Sequence, residues 1–169
     1  MGISTCVLFI SDEQIRDFTK EPRNAANLFI GCINFDRQKC CHLHDHWDGL
    51  NYLLTGQAEG GELPLCAIKR GDVTYPGAMH AIYHSTTKAL AQGLETFSQR
   101  QLRERFDPVK MSKAASGGRP VYPGRLWVFP GLADDTFRDL MSYFDGLRDF
   151  TARAARNDKG LLFHRYEDL

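Results

Sequence analysis

Apolar residues in this chain change their period from segment to segment, and those changes mark out the elements. Residues 3–10 carry the nearly unbroken apolar run Cys6 to Ile10, the pattern of a buried strand. Ser11 and Gln14 then stand at capping-box spacing, and Ile15 and Phe18 give the helix that follows an inner face. Pro22 restarts a second short helix, predicted to end at Gly31. Trp47, Leu50 and Leu54 recur at i, i+3 and i+7, so a third helix lies here, ended by Thr55-Gly56. Asp45 is placed to be its N-cap, and Asp48 puts negative charge in its first turn.

After a polar loop at 57–62, Leu63 to Ile68 and Met79 to His84 are strand candidates, separated by the turn-rich stretch Gly71 to Gly77. Ser85 is expected to cap a helix carrying Leu90, Leu94 and Phe97. Ser98 and Gln101 open another, with Leu102 and Phe106 inward, and Asp107-Pro108 breaks it. Residues 114–131 form a long loop rich in Gly and Pro that holds Tyr122, Trp127 and Phe129. The most regular amphipathic pattern runs over 133–156, through Phe137, Leu140, Met141, Phe144 and Leu147. Gly160 ends that helix, and Leu161 to Tyr166 is a final strand expected to neighbour the first. The order β-α-α-α-β-β-α-α-α-β is no regular βα alternation. It predicts one helix-rich α+β domain, residues 1–169, with a small, mostly antiparallel sheet.

Residues 41–56, CHLHDHWDGLNYLLTG, are the most informative stretch. Trp47-Asp48-Gly49-Leu50 followed by Tyr52-Leu53-Leu54-Thr55-Gly56 resembles the signature of the YfbM-like bacterial proteins, a family of unknown function. Met1-Gly2-Ile3, Ser11-Asp12-Glu13, Arg105-Phe106-Asp107, Tyr122-Pro123 and the long C-terminal helix before a last strand follow the same family order. The resemblance therefore spans nearly the whole chain and implies no established activity. It points to Trp47, Asp48, Tyr52 and Tyr122 as signature residues of a possible pocket. His44 and His46 depart from the family pattern, and so does the Gly/Pro-rich segment 114–131. A histidine site at 42–46 could therefore not be carried over from the family.

Composition narrows the function classes. Lys plus Arg equals Asp plus Glu, 21 of each, so the formal charge is zero and no dedicated nucleic-acid binding is expected. The charge is nonetheless uneven. Arg100, Arg103, Arg105, Lys110, Lys113 and Arg119 make a basic run, and Asp134, Asp135, Asp139, Asp145 and Asp149 make an acidic helix face. Both read as solvated surfaces. No apolar run approaches the ~20 residues of a membrane span, and residues 1–10 carry no signal-peptide pattern. Five cysteines without a regular framework suit reduced thiols in the cytoplasm.

Cys40, Cys41, His42, His44 and His46 offer five potential metal ligands within seven residues, and His80 and His84 add a second pair. His80 and His84 lack the Glu after the first His that a zincin helix needs, since Ala81 stands there. The preferred reading of the histidines is hydrogen-bonded imidazoles with no metal and no cofactor. Asp48 reads as a helix-dipole partner and Trp47 as core. There is no nucleophile elbow, P-loop or dinucleotide fingerprint, and no catalytic residue is assigned. The chain thus reads as a small cytosolic binding or protein-interaction module, its partner a protein or a second copy. The alternative is a metal-assisted hydrolase that joins His42, His44 and His46 to His80 or His84.

Overall fold

The computed structural model describes residues 3–35, 39–116, 119–121 and 131–167. Five strands form the main sheet: β1 (Ile3–Ile10), β2 (Cys40–His44), β3 (Val73–Tyr75), β4 (Met79–Ile82) and β7 (Gly160–Glu167), in the order β2-β1-β7-β4-β3. Every pairing in it is antiparallel. A two-stranded hairpin, β5 (Ala115–Ser116) with β6 (Arg119–Pro120), lies apart from it.

Alternation along the strands feeds two apolar layers. Cys6, Leu8 and Ile10 of β1, with Leu162 of β7, pack into one layer with α1 (Asp12–Lys20) and α2 (Arg23–Phe35). Val7, Leu161 and Phe163 pack into the other. There they meet α3 (Trp47–Thr55), α4 (His84–Glu95), α5 (Gln99–Arg105), α6 (Pro108–Lys113) and α7 (Ala133–Arg156). This is the helix-rich α+β class with a small antiparallel sheet, and the first and last strands are neighbours as expected. Gly160 permits the close approach of β7 to β4 and α1: a side chain there would strike the Ile82 carbonyl oxygen and the Ile15 side chain.

Helices whose caps lie close in sequence form where predicted. Ser11 with Gln14 and Ser98 with Gln101 both make reciprocal capping boxes. Asp107, read as part of a break, also caps α6, with Pro108 at its first position. Helix α7 spans 133–156, and Leu140, Met141, Phe144 and Leu147 are buried on its inner face.

Strand β2, helix α6 and the β5–β6 hairpin have no counterpart in the predicted order, and four other assignments differ. Helix α2 continues through Gly31 to Phe35; burial of Ala25 and Phe29 against the sheet outweighs the ~1 kcal/mol that a helical glycine costs. Leu63 to Ile68 is not a strand. It winds into turns closed by Cys66 N–H to Glu62 O, 3.2 Å, and Ala67 N–H to Pro64 O, 3.0 Å, which bury Cys66, Ala67 and Ile68 without strand pairing. The strand paired with β4 is instead β3, inside the stretch read as turn. Helix α4 starts at His84, not after Ser85. Its His84 N–H donates to Asp12 Oδ1 at 2.8 Å, and the Tyr83 N–H to Asp72 Oδ2 at 2.8 Å, so distant side chains satisfy this terminus.

The acidic and basic runs partly meet within the chain. Arg103 pairs with Asp134. Arg105 donates to the Leu53 and Leu54 carbonyls at 2.9 Å each, closing the C-terminus of α3.

Candidate functional site

The signature residues sit where α3 leaves the edge strand β2. His44, at φ 46°, turns the chain, and the His46 N–H bonds Leu43 O at 3.0 Å. Residue 46 is thereby already helical, and it occupies the cap position without a side-chain cap bond. The expected Asp45 cap does not form. Its carboxylate instead lies 3.1 Å from His46 Nδ1.

Trp47 is 6% exposed and Asp48 8%. Over the indole stand two cations from elsewhere in the chain. Lys69 Nζ lies 5.2 Å from the ring centre and Arg165 Cζ 5.4 Å. Lys69 also donates to the Ala58 carbonyl. Burial lowers the Lys69 pKa, while Asp48 and then Glu59 pull it back up. Asp48 keeps the first-turn position read from sequence, but it also works as the buried counter-charge to Lys69. Tyr52 is half-buried against the same apolar layer. Tyr122, Trp127 and Phe129 lie outside the described residues.

His80 adjoins this corner. It is 3% exposed, with Nε2 2.8 Å from Ala67 O and its ring stacked 4.9 Å from Phe163. Burial lowers its pKa to about 4. Thr5 completes the group. It is fully buried, and it is the register partner of Arg165 across β1 and β7, so the two side chains share a face. Neither Thr5 Oγ1 nor Arg165 Nε has a hydrogen-bond partner among the described residues.

The histidines of 42–46 do not join His80 or His84. Strands β2 and β4 are separated by β1 and β7, roughly 14 Å across the sheet. The His42 and His44 rings stack 5.7 Å apart, and His46 stacks on Tyr143 at 4.0 Å. His46 is held below the usual imidazole pKa by burial, against the opposing charges of Asp45 and Asp139. His84 Nε2 lies 3.3 Å from Asp158 Oδ1. Among the described residues, the potential ligands that converge in a group of three are Cys6, Cys40 and His42. Cys41 packs into the opposite layer, where burial pushes its thiol up to about 12. A protonated thiol of this kind is no nucleophile near neutral pH.

The sequence pattern does not single out Lys69, Arg165 or Thr5. They come from a turn and from two strands, and only the sheet register brings them to Trp47.

An antiparallel sheet layered with helices on both faces, with a tryptophan–aspartate corner at the start of α3, defines a class of small α+β proteins. This chain belongs to the family described as "Domain of unknown function (DUF1877)", whose model matches residues 1–164. Among solved structures it is similar to the protein of unknown function YfbM from Escherichia coli. The two share a TM-score of 0.73 and 18% identity, over 96% of this chain and 99% of that one. No curated protein matches the chain. The family is therefore the one the signature at 47–56 resembles, and its function is unknown.

Proposed function

We propose that this protein is a non-catalytic binding module of the cytosol that takes an anionic group at the Trp47 corner. One observation carries the reading: two donors, Thr5 Oγ1 and Arg165 Nε, are buried side by side without an acceptor among the described residues. Each such group costs about 1–3 kcal/mol while its bond stays unmade. Next to Lys69, the pair is matched by a carboxylate or phosphate oxygen. The partner is a protein, or a second copy of the chain, that presents such a group. Five cysteines that no disulfide joins suit the cytosolic placement. No helix among the described residues is long and apolar enough to cross a membrane.

The chain has two tryptophans, so Trp127→Phe leaves Trp47 as the sole indole reporter. Titration of that variant with inorganic pyrophosphate and with citrate should give a saturable change in Trp47 emission. Arg165→Gln should abolish it. A flat response to both anions, or an equal response after Arg165→Gln, would overturn the reading.

A further inference from the structure

We propose that Cys6, Cys40 and His42 form a zinc site that opens at the β2 edge of the sheet. The ligand atoms of the three residues all lie within 4.8 Å of one another, and Cys40 Sγ stands 3.3 Å from His42 Nε2. Tetrahedral zinc, with bonds of ~2.3 Å to sulfur and ~2.0 Å to nitrogen, needs its donors roughly 3.3–3.8 Å apart. The present spacing therefore reaches zinc geometry with side-chain adjustments of about an ångström.

The backbone is what gathers the three. Cys6 and His42 are register partners between β1 and β2. Cys40 lies two residues from His42 on the same strand, hence on the same face. Cys41 points to the other face and is excluded by the same rule. Cys6 and Cys40 are buried and His42 is half-exposed. That leaves an entry path from solvent at the edge strand and a fourth position for water.

The donor set sets the metal class. Two thiolates and an imidazole select zinc or copper(I) over magnesium or calcium, which take oxygen ligands. Binding breaks two S–H bonds, releases two protons to buffer and adds one Zn2+, so the loaded site stays neutral. Neutrality suits an apolar layer in which an uncompensated charge would be costly. Buried cysteine as a small apolar filler accounts for Cys6 alone. It does not account for an imidazole nitrogen aimed at a neighbouring thiol.

The test uses the full chain, made without a histidine tag and stripped with chelator. Zn2+ is titrated against a chromophoric chelator, and Co2+ is added separately to read thiolate-to-cobalt absorption. The expected result is one metal per chain with a thiolate–cobalt band. His42→Gln and Cys40→Ser should each weaken binding by on the order of tenfold or more. Cys41→Ser, on the opposite face, should leave it unchanged. Circular dichroism checks folding, and His42→Gln, altering a half-exposed residue, decides the matter if Cys40→Ser fails to fold. No stoichiometric metal in the folded parent, binding that survives His42→Gln, binding lost equally in Cys41→Ser, or copper(I) bound without zinc would each overturn the assignment.

Discussion

Acidifying the folded protein tests the environment of His80. Its ring is sealed between the Ala67 carbonyl and Phe163, and burial takes its pKa from 6.5 to about 4 against the opposing pull of that carbonyl. The unfolded chain regains the ordinary value. Between roughly pH 6.5 and pH 4 the unfolded state therefore binds a proton that the folded state does not, and stability falls as pH falls through that window. Above it the contribution is fully present. Below it the loss stays constant. A tenfold change in proton affinity is worth about 1.4 kcal/mol, so the whole window costs about 3 kcal/mol. Burial also lowers the pKa values of His46 and His164, so the total pH dependence does not belong to His80 alone. The difference between the parent and His80→Asn isolates it, because Asn offers the Ala67 carbonyl an N–H and does not titrate. Urea unfolding at a series of pH values from about 7 down to about 4 is the assay. The variant should be less stable near neutrality, because it loses the ring stack, and the gap should narrow by about 3 kcal/mol at the acid end. Two stability curves that run parallel across the window would refute the argument.

Three further outcomes follow from packing and capping. Phe144→Ala empties a fully buried site on α7 and should cost about 3–5 kcal/mol in denaturant unfolding; a loss below about 1 kcal/mol would mean the layer closes over the gap. Asp12→Ala removes the acceptor of the His84 N–H and should cost about 0.5–2 kcal/mol, with faster amide exchange in the first turn of α4 than in the last turn of α1. Gly160→Ala forces a methyl against the Ile82 carbonyl and Ile15 and should lower stability by about 1–3 kcal/mol. A neutral result there would show that β4 and β7 can move apart.

What can be read from the residues alone is what they decide among near neighbours. Ser11 with Gln14, Ser98 with Gln101 and the inner face of 133–156 are settled within a few turns of chain. Ser85 has the chemistry of a cap, but α4 begins two residues earlier than such a cap would set it, and borrows Asp12 from another helix. No local pattern announces that choice. The apolar run at 63–68 has the composition of a strand; only its place under the core makes it coil into turns. The candidate site divides the same way. Trp47 and Asp48 are visible as a signature, and the histidines as a cluster. The cations over the indole, and the partnership of Cys6 with His42, depend on strand register, which is set by the whole sheet.

Strand β7 follows every other strand of the main sheet in chain order, yet it lies at the centre, joining β1 to β4. A nascent chain can therefore form two separate hairpin-like pieces, β2 on β1 and β3 on β4, but no strand pairing unites them until β7 emerges from the ribosome. Closing the β1–β7 pairing brings together residues from opposite ends of the described chain, a slow step set by loop entropy. Until then β1 offers an open edge, the apolar run Cys6 to Ile10, to any strand that comes near. Arrest of synthesis before Gly160 would thus release not a frayed protein but two unjoined half-sheets, the form in which this chain is most exposed to chaperones and to aggregation.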